Sequence, residues 1–143
     1  MNVPNLRSCH DTVGGIVYFG RMLDKIRLHA QGKLPADYHE NLGKGFDGRC
    51  CSFLHVNYDG IVARVKQGGT DEEILRWCFA HGRKPTDEEI EIWNDYMRKR
   101  GWRDSSSKRL VERLKESGFS NRTDIQTFFD YIDADEERPL RKP

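Results

Sequence analysis

Thr70-Asp71-Glu72-Glu73-Ile74 recurs further along the chain as Thr86-Asp87-Glu88-Glu89-Ile90. In each copy the threonine hydroxyl can accept a hydrogen bond from the backbone N–H of the glutamate at the third helical position. That glutamate side chain can accept one in return from the threonine N–H. The clustered carboxylates also oppose the positive end of a helix dipole. The two copies therefore predict two helix starts.

Outward from these two starts, apolar residues recur at helical spacing between glycine stops. The predicted helices cover residues 16–30, a short segment capped by Asp47, residues 59–67, the two capped helices ended by Gly82 and Gly101, a segment after residues 104–107 ended by Gly118, and a final helix capped by Thr123. Only the short apolar run at residues 16–19 resembles a strand. We predict an all-α fold: a compact bundle of about seven short helices in one domain over residues 1–143, with a fraying tail at residues 133–143.

The bulk composition limits the classes of partner. The chain has 143 residues, of which 24 are basic and 23 acidic, so its formal net charge is +1. This balance does not favour nucleic acid or a membrane surface as a partner, and the basic residues at 98–100 suit the end of a helix. The start has no signal-like pattern and no run approaches the roughly 18 apolar residues of a membrane span, so we expect a cytoplasmic protein.

The cysteines do not indicate a metal centre. Cys50 and Cys51 are adjacent, and together with Cys9 and Cys78 they form no Cys-x-x-Cys pair. Neighbouring residues on a helix point about 100° apart, so the adjacent pair is poorly placed to bind one ion. We therefore expect reduced thiols, no metal and no cofactor.

A glycine-rich segment, Gly43-Lys44-Gly45-Phe46-Asp47-Gly48, has the glycine spacing of a dinucleotide-binding loop. That function needs a buried strand before the loop, and the polar residues 37–42 do not form one. Two alternatives remain. The loop can hold a small anion on its backbone N–H groups with Lys44 or Arg49 nearby, or it is an ordinary turn.

The first predicted helix concentrates charge. It carries Arg21, Asp24, Lys25, Arg27 and His29, which helical spacing brings close together. In one hypothesis the acidic final helix, with Asp130, Asp133, Asp135 and Glu136, packs against this face and neutralises it. In the other, the face binds an anion or a carboxylate ligand, with Arg21 as a bidentate donor and Lys25 as a point charge.

Several short motifs resemble those of an uncharacterised bacterial family, domain of unknown function 5069. They are Leu6-Arg7-Ser8 with Gly14-Gly15, Arg21 with Asp24-Lys25 and Arg27, Gly32-Lys33-Leu34, Tyr38, Asp47-Gly48-Arg49, and the acidic end from Phe129 to Glu136. Cys9 stands where the family commonly has proline. The resemblance implies a bacterial cytoplasmic protein of one domain, and it carries no activity, cofactor or catalytic residue.

Together these patterns favour a non-catalytic binding or regulatory module that acts through a protein partner or a small anionic ligand. The alternative is a small cofactor-free enzyme or anion-binding domain that uses the charged face of the first helix. No nucleophile with an adjoining base can be identified, so the sequence leans against catalysis. The predicted ligand-binding residues are Arg21, Asp24, Lys25, Tyr38 and Asp47.

Overall fold

The computed structural model describes residues 1–141. Within them the chain forms seven α-helices: α1 (Phe19–Ala30), α2 (Phe46–Leu54), α3 (Tyr58–Lys66), α4 (Asp71–His81), α5 (Asp87–Lys99), α6 (Ser107–Glu116) and α7 (Phe128–Asp135). A 3-10 helix covers Ala36–Asn41, and a hairpin of β1 (Thr12–Val13) and β2 (Ile16–Val17) precedes α1. The prediction of a compact, mostly helical fold with about seven short helices is confirmed.

The hairpin corrects the predicted start of the first helix. β1 and β2 pair antiparallel, with Thr12 opposite Val17 and Val13 opposite Ile16. The turn between them places Gly14 and Gly15 at φ 57° and 78°, the positive values that tight hairpin turns favour. The helix begins at Phe19, not at residue 16. Strands of two residues are too short to show the alternation that would have revealed them.

Tyr18 joins the hairpin to α1 with an unusual backbone. Its φ is +74°, a region that bulky side chains rarely adopt. Its N–H donates to the carbonyl of Cys9 at 3.0 Å, and its carbonyl accepts from the N–H of Met22 at 3.0 Å. These two bonds hold the residue in place, and the Tyr18 side chain is buried.

Both predicted capping boxes are present. The Thr70 hydroxyl accepts from the N–H of Glu73 at 3.2 Å, and the Glu73 carboxylate accepts from the N–H of Thr70 at 2.9 Å. Thr86 and Glu89 repeat the pair at 3.1 Å and 2.9 Å. α4 and α5 therefore begin where the sequence predicted.

Two other predicted caps are wrong. The residue at the N-cap of α2 is Gly45 and not the predicted Asp47. Asp47 is buried, and its carboxylate accepts a hydrogen bond from the N–H of Gly43 at 3.0 Å. α7 is capped by Thr127, whose hydroxyl accepts from the N–H of Asp130 at 3.1 Å, and not by Thr123.

The prediction of a fraying tail is also wrong for its first part. Asp133 lies inside α7 and is fully buried, and Glu136 at the end of that helix is 2% exposed. The charged residues that suggested a loose end are held by partners in the first part of the chain. Residues 142–143 lie outside the described residues.

Helix α1 lies at the centre of the molecule. Every residue from Phe19 to Ile26 is buried, which is unusual for a helix that carries Arg21, Asp24 and Lys25. α1 packs against α3 and the hairpin. A second, smaller apolar cluster joins the N-terminal segment to the end of α1 through Val3, Leu6, Leu28 and Leu34. None of the helices in residues 1–141 has the length and apolar character needed to cross a membrane.

Candidate functional site

The charged residues of α1 separate into three groups of contacts. Asp24 belongs to the first, because its carboxylate accepts from Nε of Arg7 at 2.9 Å and from Nη2 at 3.0 Å. Arg7 also donates to Asp71 of α4 at 2.8 Å. Through Arg7, Asp24 therefore connects α1 to the N-terminal segment and to α4. The structure does not bring it together with the other predicted ligand-binding residues.

Arg21 forms the second group, the Arg21 cluster, with Glu136, Tyr38 and Arg138. Its Nη1 and Nη2 donate to the two Glu136 oxygens at 2.8 Å and 2.7 Å. The Tyr38 hydroxyl donates to Glu136 at 2.7 Å, and Arg138 donates to the same carboxylate. Burial alone would raise the pKa of Glu136, but its hydrogen bonds and the charge of Arg21 hold it below the usual value.

Lys25 forms the third group, the Lys25 cluster, with Asp47 and Tyr18. Its Nζ lies 2.8 Å from Oδ1 of Asp47 and donates to the Tyr18 hydroxyl oxygen at 3.0 Å. The Tyr18 hydroxyl in turn donates to Asp47 at 2.6 Å. Burial, followed by the neighbouring Asp47 charge, raises the pKa of Tyr18 well above its usual value, so the phenol stays neutral.

The Arg21 and Lys25 clusters border one cavity of about 430 Å³. We call it the central cavity; its lining residues are Met1, Tyr18, Arg21, Lys25, Asp37, Tyr38, Asn41, Lys44, Gly45, Phe46, Arg49, Arg100, Ser106, Arg113, Phe128, Tyr131, Ile132, Asp135 and Glu136. Of the five predicted ligand-binding residues, Arg21, Lys25 and Tyr38 line it. Asp47 lies beside Lys25 without lining it, and Asp24 is elsewhere.

The lining is electropositive although the whole chain is nearly neutral. Its cations are Arg21, Lys25, Lys44, Arg49, Arg100 and Arg113, against three carboxylates, Asp37, Asp135 and Glu136. Arg100 and Arg113 also have carboxylate partners outside the lining, at 3.3 Å each. Within residues 1–141, neither Lys44 nor Arg49 has a carboxylate within 4.0 Å. The Arg49 guanidinium also lies 5.9 Å from the centre of the Tyr96 ring, but within these residues neither cation has an anionic partner that a ligand would have to displace.

The inner end of the cavity, where the buried residues Arg21, Lys25 and Glu136 line it, offers hydrogen-bond donors to a ligand. A lysine ammonium has three N–H groups, and the described contacts of Lys25 account for two of them. The Nε of Arg21 likewise has no acceptor among the described contacts. Both Glu136 oxygens already accept two hydrogen bonds each. A ligand group at this end would therefore have to accept hydrogen bonds.

The glycine-rich loop and the charged helix face, two separate features of the sequence, meet at this cavity through Lys44, Gly45 and Arg49. Three further lining residues were not predicted from the sequence, namely Arg100, Arg113 and Tyr18. Arg100 follows α5, Arg113 lies near the end of α6, and Tyr18 follows β2, so they are far apart in the sequence. A basic residue at a helix end, such as Arg100, is also expected without any ligand. No local pattern signals that such residues converge.

The cysteines and histidines lie outside the lining of the cavity. All four cysteines are buried, and burial raises the pKa of Cys9 to about 11, so its thiol is a poor nucleophile. His10 lies against Asp133, with Nε2 and Oδ2 3.8 Å apart. In the described part of the chain, no three His, Cys, Asp or Glu side chains are grouped to hold a metal ion.

A family model described as Domain of unknown function (DUF5069) matches residues 3–138. The match includes every residue of the Arg21 and Lys25 clusters. No curated protein matches the sequence.

Proposed function

The chain belongs to the DUF5069 family, a domain of unknown function, and from that premise we propose that it is a non-catalytic module that binds a small anionic ligand in the central cavity. The observation that carries this proposal is the convergence of six cationic side chains on one cavity. They come from α1, the loop before α2, α2 itself, the end of α5, and α6.

Like charges gathered around one cavity repel each other, and an anion relieves that repulsion. Lys44 and Arg49 should attract an anion most strongly, because each of the other lining cations already has a carboxylate partner. Gly45 and Phe46 at the start of α2 also line the cavity, where the positive end of the helix dipole adds to the attraction. A concave site of this size is better suited to binding a small molecule than to binding the flat surface of a protein partner.

The contacts support binding over catalysis. The two buried carboxylates next to the cavity, Glu136 and Asp47, already accept hydrogen bonds from several donors. A carboxylate held in this way, with a lowered pKa in the case of Glu136, is a weak general base. Tyr18 is held as a neutral phenol. The bacterial cytoplasmic setting expected from the sequence stays a prediction.

Binding of inorganic phosphate tests the proposal. Calorimetric titration at fixed ionic strength should show saturable binding to the wild-type protein. Removing either unpaired cation, as Lys44→Gln or Arg49→Gln, should weaken that binding at least about fivefold, or about 1 kcal/mol. Lys66→Gln is the matched control, because Lys66 is exposed on α3 and does not line the cavity. Equal affinity for all four proteins, or no binding at all, would contradict the proposal.

A further inference from the structure

We infer that the ligand is a phosphorylated carboxylic acid, held with its carboxylate at the inner end of the central cavity and its phosphate at the outer end. This inference rests on the proposed function and adds the chemical class of the ligand. It follows from a difference in charge, burial and hydrogen-bond capacity between the two ends of the cavity.

The inner end matches one negative charge. Arg21 and Lys25 are 4% and 6% exposed, so their charges are scarcely screened by water. Together with Arg138, which pairs with Glu136 beside the lining, they make three cations against the two buried carboxylates of Glu136 and Asp47. Asp135 also acts on this end, but it is exposed, so water screens its charge. One positive charge is left over. The unused N–H groups of Lys25 and Arg21 can donate only to an acceptor, and a carboxylate supplies both the charge and the lone pairs.

The outer end matches a larger charge. Lys44 and Arg49 are exposed, flank the start of α2, and have no carboxylate partner among the described residues. Their two positive charges correspond to the charge of about −1.5 to −2 on a phosphate monoester at neutral pH. Asp37 and Asp135, the other carboxylates of the lining, are exposed, so solvent and salt weaken their repulsion.

The space between the two ends suits a short carbon chain. Its walls include the rings of Tyr38, Phe46, Phe128 and Tyr131, which offer apolar surface to the body of a ligand. The cavity volume of about 430 Å³ falls in the range of small-molecule sites and far exceeds what a lone phosphate needs. A ligand with an anionic group at each end uses both sets of cations.

Two pairs of matched probes test the inference. 3-Phosphoglycerate and glycerol 3-phosphate have the same carbon number and phosphate, and they differ only in a carboxylate or a hydroxymethyl group at the far end. 6-Phosphogluconate and sorbitol 6-phosphate form the same contrast at greater length. Hydrogen bonds between a carboxylate and buried charged donors should make the acid of at least one pair bind at least about 10-fold tighter in calorimetry at fixed ionic strength.

Variants assign the two ends. Lys25→Met combined with Asp47→Asn removes both charges of the Lys25 cluster, so no buried charge is left unpaired and the net charge is unchanged. The variant keeps the excess positive charge at Arg21 and Arg138 but removes the ammonium donor of Lys25, so it should reduce the advantage of the acid at least about threefold. Arg49→Gln should weaken both members of a pair by the same factor, and Lys66→Gln should change neither.

The outcomes separate this inference from the proposed function. If inorganic phosphate binds and neither acid binds tighter than its alcohol, the ligand class is wrong while anion binding stands. An advantage of the acid that is as large in the double variant as in the wild-type protein also overturns the assignment of the inner end. If neither phosphate nor any probe binds, the proposed function fails and the inference fails with it.

Discussion

Asp133 and Glu136, both at the end of α7, show how the same chemical group takes opposite roles in one helix. Glu136 accepts hydrogen bonds from two arginines and a tyrosine, which hold its pKa below the usual value against the effect of burial. Asp133 accepts one from Ser8 at 2.7 Å, and its Oδ2 has no hydrogen-bond partner among the described residues. Burial raises the pKa of Asp133, only partly opposed by Ser8 and His10. The surroundings of Glu136 therefore favour its anion, whereas those of Asp133 favour its protonated form.

Neutral isosteres at these two positions should therefore have opposite effects at pH 7. Glu136→Gln leaves Arg21 without its anion and should cost about 3–5 kcal/mol in the free energy of unfolding. Asp133→Asn removes a buried charge with an unsatisfied oxygen and should stabilise the protein by about 1–3 kcal/mol. Urea denaturation measures both. The same sign for the two variants would refute this account of the helix.

The pH dependence of the two variants follows from the direction of each pKa shift. The pKa of Glu136 is lowered on folding, so its contribution is present above the unfolded value of about 4.3 and is lost as the pH falls through the folded value. The cost of Glu136→Gln should therefore shrink in acid. The pKa of Asp133 is raised, so its penalty appears as the pH rises through the folded value. The gain from Asp133→Asn should accordingly vanish below about pH 4.

At the scale of the helices, local signals were predictable and contacts between distant segments were not. The threonine and glutamate of each capping box lie within one helical turn, so Thr70 and Thr86 were identified from the sequence alone. Thr123 is also a threonine, but no helix starts at the residue that follows it. The choice of Thr127 depends on where α7 packs, since the N–H of Phe128 donates to the carbonyl of Arg100 at 2.9 Å. No local pattern contains that information.

Alanine substitutions at the two threonines check the corrected start of α7. Thr127→Ala removes a hydroxyl that accepts from the N–H of Asp130 and should cost about 1 kcal/mol of stability. Thr123→Ala is the control, because this side chain is exposed and makes no described hydrogen bond, so its effect should stay within about 0.5 kcal/mol. A larger loss at Thr123 in thermal or urea unfolding would show that the helix begins earlier.

The first and the last residues that the structure describes meet each other beside α1. The N–H of Asn2 donates to Glu137, Arg138 donates to the carbonyl of Leu6, and Glu136 holds Arg21. The sequence suggested that the acidic final helix neutralises the first, and Glu136 does pair with Arg21. Lys25 pairs instead with Asp47, a residue that the sequence assigned to a cap. The charges in the sequence predict that Arg21 and Lys25 need carboxylate partners. Which carboxylate each one meets depends on the tertiary fold.

Anion binding in the central cavity beside α1 and α2 can be followed residue by residue in an NMR titration with inorganic phosphate at fixed ionic strength. An anion bound in this cavity should cause saturable shifts of backbone amide signals at residues 43–49 and 21–25, and smaller changes along α4 (Asp71–His81). Saturable shifts that cluster away from the cavity, or the absence of any saturable shift, would contradict anion binding in this cavity.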